Sequence, residues 1–346
     1  MRNLTIDGKL ISDEEPAFCI AELGHNHGGS VEVCKGMIRS AAWAKADAVK
    51  LQKRDNRSLY TQGYYDREYT SENAYGPTYG AHREALEFGA AEYRTLEAEA
   101  DHNHVTFFAT AFDEPSATFL AENTASAAFK IASGDLTNTP LLRYVASYGK
   151  PMIVSTGAAS QADVDRAMGT IWPINQQVGL LHCTAEYPAP AASLNLRVIS
   201  TYRERYPEVV VGLSSHYSGI SDAVVAYMLG ARIFEKHFTL NRSAKGTDHA
   251  FSLQPAGFAK MVSYLSEARL ALGDGVKVCR EAEVPALEKM GTALYYARDL
   301  PAGHVLEVRD MAIKTPGGRG YPPYMREVFV GTVLKRQVWR DQLVGD

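Results

Sequence analysis

The 346-residue sequence predicts an α/β fold: a (β/α)8 barrel followed by a small β-rich unit. Two observations carry the barrel. Eight short apolar, β-branched runs alternate with stretches of helical periodicity over about 270 residues, the count a closed eight-stranded barrel needs. An open doubly wound sheet usually stops at fewer strands. The third observation concerns the tail, where short strand-like pieces are broken by Pro316-Gly317-Gly318 and Pro322-Pro323.

The runs are 17–21, 48–52, 105–109, 128–132, 152–155, 179–183, 209–213 and 232–237. Each has the length of a strand buried on both faces. Val33, Met37, Ile38 and Ala41, then Leu141, Leu142 and Val145, then Val224, Val225 and Met228 mark the buried faces of three helices. Ser30, Ser160 and Ser218 stand where helices start. The segment 56–89, rich in Tyr, Gly and Thr, interrupts the alternation and reads as a functional loop at the barrel mouth. These features divide the chain into a barrel over 1–275, a linker over 276–290 and a small unit over 291–346, with strands at 293–297, 311–314 and 328–334.

Composition excludes several classes. Hydrophobic residues make up 46% and charged residues 22%, which rules out wholesale disorder. A net charge of −4 gives no reason to expect a nucleic-acid partner. No long apolar stretch predicts a membrane span, and the first residues lack the pattern of a secretory leader. Four scattered cysteines, Cys19, Cys34, Cys183 and Cys279, form no CxxC pair and predict a reduced, cytoplasmic setting.

Chemistry in this fold gathers where the strands end. There the sequence places Glu22, Lys50 and Gln52, Thr110, Lys130 with Ser133 and Asp135, Ser155, His182-Cys183-Thr184 with Tyr187, Ser214 and His216, and Glu235 with His237. So many buried polar groups without a ligand would cost about 1–3 kcal/mol each. Lys50 and Lys130 among the hydroxyls of Thr110, Ser133, Ser155 and Ser214 suit a small dianion bearing phosphate and carboxylate. A Schiff-base lysine is the competing reading of Lys130; one lysine in an apolar pocket would favour it, and two among hydroxyls favour anion binding. His216 and His237, on neighbouring strands, can hold a divalent cation. With oxygen ligands completing the shell, Mn²⁺, Mg²⁺ or Co²⁺ is expected before structural zinc. Glu22 is either a third ligand or a separate acid/base. His25 and His27 share a loop beside it, and the sequence does not say which faces the mouth.

Seven segments together resemble the sialic acid (N-acetylneuraminate) synthase family. They are Ala21-Glu22-Leu23-Gly24-His25-Asn26-His27-Gly28-Gly29-Ser30, Asp47-Ala48-Val49-Lys50-Leu51-Gln52, Phe129-Lys130-Ile131-Ala132-Ser133-Gly134-Asp135, Ser155-Thr156-Gly157, Leu181-His182-Cys183-Thr184 with Tyr187-Pro188, Gly212-Leu213-Ser214-Ser215-His216, and Glu235-Lys236-His237-Phe238-Thr239. The resemblance implies condensation of phosphoenolpyruvate with an N-acylated amino sugar such as N-acetylmannosamine, giving a sialic acid-like nonulosonic acid and phosphate. It implies that Lys50, Thr110, Lys130, Ser133, Ser155 and Ser214 bind phosphoenolpyruvate, that His216 and His237 hold the metal, and that Glu22 helps water add. Gln52, Asp135, Tyr187 and Asp248 match sugar-contacting positions.

It further implies that the tail is an antifreeze-like (SAF) domain that covers the partner's site in a domain-swapped homodimer. Three departures bear on the substrate: Ala185 stands where Asn is common, Asp135 where some members have Glu, and Thr315 where an Arg contacts the sugar. Arg319 or Lys314 stands near enough in sequence to replace that Arg. The same chemistry on a legionaminate, pseudaminate, spore-coat or other 3-deoxy-ulosonate precursor is the alternative. A non-enzymatic sugar-binding protein would have no use for Glu22, His216 and His237 together.

Overall fold

The structure is a computed structural model that describes residues 2–345. The chain divides after Leu272 into two compact units.

The first unit opens with an antiparallel hairpin, β1 (Asn3–Ile6) and β2 (Lys9–Ser12). Asp7 and Gly8 both adopt positive φ at its tip, the Asp-Gly turn whose twist matches paired strands. Eight parallel strands then close a barrel: β3 (Phe18–Gly24), β4 (Ala48–Lys53), β5 (Thr106–Ala111), β6 (Phe129–Ile131), β7 (Met152–Ser155), β8 (Val178–Cys183), β9 (Val210–Ser215) and β10 (Ile233–His237). The ring is sealed where β10 pairs with β3. Long helices follow the strands, from Val31–Trp43 after β3 to Pro255–Leu272 after β10.

Side chains alternate across each strand. Cys19, Ala21 and Leu23 point outward into the helical shell with Met37, Ile38 and Ala41. Phe18, Ile20, Ala48, Phe108, Ala128, Ile153, Leu181, Val210 and Ile233 point inward and fill one end of the barrel. Leu4, Ile6 and Ile11 of the hairpin join that inner cluster, so the hairpin plugs this end. A Cβ at Gly179 would lie 2.7 Å from Ile233 Cδ1 and 3.3 Å from Leu4 Cδ2, so its missing side chain makes room for the plug.

Ser30 and Ser160 cap their helices, Ser30 Oγ accepting from Val33 N at 3.3 Å. Ser218 does not: the next helix runs Ser221–Met228 after Ile220 with no side-chain cap. Its buried face is Asp222, Ala223, Ala226 and Tyr227. Val225 and Met228, expected inside, are 48% and 56% exposed. The loop over 56–89 carries three short helices, Asn56–Leu59, Gln62–Tyr65 and Tyr79–Glu84.

The second unit pairs β11 (Ala293–Tyr296) with β12 (Met311–Lys314) and packs Leu294, Tyr296, Leu300, Leu306, Met311, Leu334, Val338 and Val344 into its own small core. The strand expected over 328–334 is instead a helical turn, Arg326–Phe329, followed by a single bridge from Val333 to Val305. Among the described residues no helix is long and apolar enough to cross a membrane.

Candidate active site

Continuing each inward series past the apolar layer gives the site. Ile20 is followed by Glu22, Ala48 by Lys50 and Gln52, Phe108 by Thr110, Ala128 by Lys130, Ile153 by Ser155, Val210 by Ser214 two steps on, and Ile233 by Glu235 and His237. Register sets Glu22 beside both Lys50 and His237, Gln52 beside Thr110, Thr110 beside Lys130, and Ser214 beside Glu235. These side chains line one cavity of about 310 Å³. A hollow of about 590 Å³ lies on the outer wall around the Asp165–Arg205 ion pair and holds none of the inward-facing strand ends.

Lys50 Nζ donates to Thr110 Oγ1 at 2.7 Å and lies 2.5 Å from Glu22 Oε2. Lys130 Nζ donates to Ser155 Oγ at 2.7 Å and to the Ile131 carbonyl at 3.0 Å. Between the two cations stands Glu235, with Oε1 3.7 Å from Lys50 Nζ, 3.9 Å from Lys130 Nζ and accepting from Ser214 Oγ at 3.5 Å. Burial works to raise the Glu235 carboxyl, but Lys130 and Lys50 outweigh it and hold it below the usual carboxylate range. Burial pulls Lys130 down, against Glu235, with Lys50 adding to the fall. Glu235 Oε2 is buried without a hydrogen-bond partner. The sequence had Glu235 on the rim, and two-residue spacing from His237 was the signal that it points inward.

Glu22 Oε1 accepts from Gln52 Nε2 at 2.6 Å. Gly24, at φ +51°, makes that pair possible: a Cβ there would lie 3.2 Å from Glu22 Oε1 and 3.4 Å from Gln52 Nε2. Ser133 Oγ accepts from Gly157 N at 2.9 Å and so ties the ends of β6 and β7 together. A Cβ on Gly157 would lie 3.1 Å from Ala185 Cβ, which places Ala185 beside this junction. Tyr187 lines the cavity with its ring 4.0 Å from that of His216. Asp248 lines it from the loop after β10. Asp135 is not among the lining residues; burial pushes its carboxyl up to about 6.

His216 and His237 have ring centroids 5.4 Å apart. His216 Nδ1–H donates to the Thr184 carbonyl at 2.9 Å, which leaves Nε2 with its lone pair free. Burial, then the neighbouring His237, pushes His216 down to about 4, so the ring is neutral at physiological pH. His237 Nδ1 is buried without a hydrogen-bond partner, and Asp248 Oδ2 lies 3.6 Å away. Cys183 stands 4.0 Å from the Nδ1 side of His216, and burial raises its thiol. Two imidazoles with oxygen groups nearby fit a hard-to-borderline divalent cation. Among the described residues no three His, Cys, Asp or Glu side chains already converge as a cage, so water or substrate would complete the shell.

His25 lines the cavity, whereas His27 turns away and stacks on Phe88 at 4.3 Å. His182 also lies off the cavity, with Nε2 on the Leu194 carbonyl at 2.7 Å. Arg54 and Arg83 line the outer end, unforeseen from the sequence. Arg54 continues the two-residue series of Ala48, Lys50 and Gln52, a signal that could have found it. Arg83 comes from the long loop, where no register exists to read.

A sequence profile of the NeuB family matches residues 37–277. This chain belongs to the NeuB family. Within it, the protein is 36% identical over 316 residues to N-acetylneuraminate-9-phosphate synthase of Mus musculus, covering 91% of this chain and 88% of the mouse protein. It is 33% identical over 323 residues to N,N'-diacetyllegionaminic acid synthase of Legionella pneumophila, covering 92% and 90% of the two chains. Among solved structures, this NeuB-family chain is similar to the N-acetylneuraminic acid (sialic acid) synthetase of Leptospira borgpetersenii serovar Hardjo-bovis in complex with citrate. That match has a TM-score of 0.72 and 32% identity over 83% of this chain and 95% of the other.

Proposed function

We propose that this NeuB-family protein is an enzyme that condenses phosphoenolpyruvate with an N-acylated amino sugar, giving a sialic acid-like nonulosonic acid and phosphate. The observation that carries this is the pairing, in one cavity, of a lysine–hydroxyl cradle with two imidazoles. Lys50 and Lys130, held by Thr110 and Ser155, present cations to a phosphate and a carboxylate, with Ser133 and Ser214 adding hydroxyls. His216 and His237 would hold a divalent cation, Mn²⁺ before Mg²⁺ or Co²⁺, and when bound it polarises the sugar aldehyde.

C3 of phosphoenolpyruvate attacks that aldehyde carbon, leaving an oxocarbenium-like C2. Water adds at C2, and the tetrahedral intermediate expels phosphate to leave the 2-keto acid. Glu22 is placed to orient that water and take its proton, since Gln52 and Lys50 fix its two oxygens at the inner wall. Gln52, Tyr187 and Asp248 line the cavity and would contact the sugar, whereas Asp135 is not among the lining residues. The names of the mouse and Legionella relatives denote different products, so legionaminate-type, pseudaminate-type or spore-coat acceptors are the second reading.

The tail is proposed to be an antifreeze-like domain that caps the site of a second copy in a domain-swapped homodimer, with Arg319 or Lys314 in the place of the missing Arg at Thr315. Deleting residues 285–346 should then abolish turnover, and a normally active bare barrel would remove the capping role. The function itself is tested by phosphate release from phosphoenolpyruvate and Mn²⁺ with a panel of N-acyl amino hexoses. Release dependent on both sugar and metal is expected. Borohydride trapping of a pyruvate adduct on Lys130, without phosphate release, would replace this reading with a Schiff-base lyase.

A further inference from the structure

We propose that Lys236, Asp222 and Ser215, none of which lines the cavity, are positioning residues for the metal: together they fix the separation of His216 and His237. The inference rests on the reading above, in which those two imidazoles hold a divalent cation.

Each histidine stands just past the point where its strand stops pairing with the other. β9 and β10 pair from Gly212 with Ile233 up to Ser215 with Lys236, and among the described residues the ladder between them ends there. His216 and His237 are the next residues. β10 is still held on its other side, where His237 pairs with Glu22, but no rung ties His216 to His237.

The last rung carries a brace. Ser214 lines the cavity, so Ser215 points outward, as does Lys236 between Glu235 and His237. Val211, Leu213, Phe234 and Phe238 of the same outward series are apolar and belong to the helical shell. Ser215 and Lys236 break that series, yet they and Asp222 are all buried. Lys236 Nζ lies 2.8 Å from the Tyr217 carbonyl, 2.9 Å from Ser215 Oγ, 3.0 Å from the Gly219 carbonyl and 3.0 Å from Asp222 Oδ2. Ser215 Oγ also accepts from Tyr217 N at 3.2 Å and donates to Asp222 Oδ2. One ammonium thus ties β10 to the end of β9, to the turn that leaves His216, and to the first turn of the helix Ser221–Met228.

Stability does not account for an ion pair at this place. Desolvating a buried pair costs about as much as its attraction returns, and apolar residues of similar volume are often as stable there. What charged hydrogen bonds supply that Leu or Met cannot is direction. That direction falls on the residue before each histidine. Two protein ligands hold a cation well only if their rings are set beforehand, because binding then has less ordering to do. His216 has a second anchor, its Nδ1 on the Thr184 carbonyl, whereas His237 Nδ1 has no hydrogen-bond partner. His237 therefore depends more on its backbone being held.

The test uses the full-length protein, with Mn²⁺ binding followed by electron paramagnetic resonance and phosphoenolpyruvate binding by calorimetry without metal. Lys236→Met together with Asp222→Leu replaces the pair by apolar side chains of similar size. Kd for Mn²⁺ should rise about tenfold or more in this double variant. Kd for phosphoenolpyruvate should change less than about threefold, because the lysine–hydroxyl cradle is untouched, and the thermal midpoint should stay within about 5 °C. A merely structural pair would move the midpoint and leave the ratio of the two Kd values alone. An unchanged Mn²⁺ Kd in the folded double variant, or an equal loss of both ligands, overturns the brace. Should the double variant not fold, Ser215→Ala, which keeps the ion pair, decides. A Mn²⁺ Kd raised about threefold or more in Ser215→Ala supports the brace, and an unchanged one overturns it. If the parent protein binds no Mn²⁺, or His237→Ala binds it equally well, the metal reading is at fault and the brace falls with it.

Discussion

The inward faces of the same eight strands carry two different materials. Toward the hairpin they are Phe18, Ile20, Phe108, Ile153 and Ile233, closed off by Leu4, Ile6 and Ile11, and every one of these is nearly inaccessible. Two to four residues farther along they are Glu22, Lys50, Thr110, Lys130, Ser155, Glu235 and His237, equally buried or nearly so, but charged or polar. Burial alone does not separate the two halves. What separates them is whether the buried groups satisfy one another. The apolar half is self-sufficient, while the polar half retains orphans, Glu235 Oε2 and His237 Nδ1, that a ligand or ion must serve. Stability is concentrated at one end of each strand and chemistry at the other.

Substitutions should split along that line. His237→Ala should lower metal-dependent phosphate release about a thousandfold or more, several kcal/mol in the barrier, with thermal unfolding little changed. A large fall in melting temperature would instead make His237 part of the core. Ile6→Ala, in the plug, should do the reverse. It should cost about 2–5 kcal/mol in urea unfolding while KM for phosphoenolpyruvate stays as in the parent. A shift in KM would mean that the two halves are coupled.

The loop after β3 gives a smaller, pH-dependent effect. Burial pushes His27 down to about 4, and its unprotonated Nδ1 accepts from Gly29 N at 3.1 Å. The unfolded ring binds a proton near pH 6.5, so the folded state loses stability as pH falls from about 6.5 toward 4. Urea titrations should show about 2 kcal/mol less stability at pH 5 than at pH 6.5 from this group, and His27→Gln should remove that slope. An unchanged slope would place the effect elsewhere. Smallest of all, Val225→Ser should change stability by less than about 0.5 kcal/mol, because Val225 faces solvent. A loss of 2 kcal/mol would show that the position is covered.

The same comparison explains what could be read from the sequence. The eight runs were legible because strands buried on both faces are short, apolar and evenly spaced, and the rim could be read because period two carries a side chain's direction along a strand. The plug was not, because Leu4, Ile6 and Ile11 alternate like any edge hairpin and only the closed barrel gives them a place to pack. Val225 and Met228 misled because helical spacing identifies a stripe but not which side of it meets the barrel; small Ala223 and Ala226 took the close approach instead. The run 328–334 is β-branched yet helical at its start, where local propensity lost to the small unit's packing around Leu334. Arg83 was invisible because its position depends on the folding of an irregular loop.

The central claim is that a lysine–hydroxyl cradle holds phosphoenolpyruvate beside a cation gripped by two imidazoles. A crystal of the protein soaked with phosphoenolpyruvate and Mn²⁺, with anomalous diffraction recorded for manganese, tests it most directly. The account predicts one manganese peak bonded to a ring nitrogen of both His216 and His237, and an ester whose anionic groups contact Lys50 and Lys130. Manganese bound elsewhere, or the ester seated away from both lysines, would contradict it.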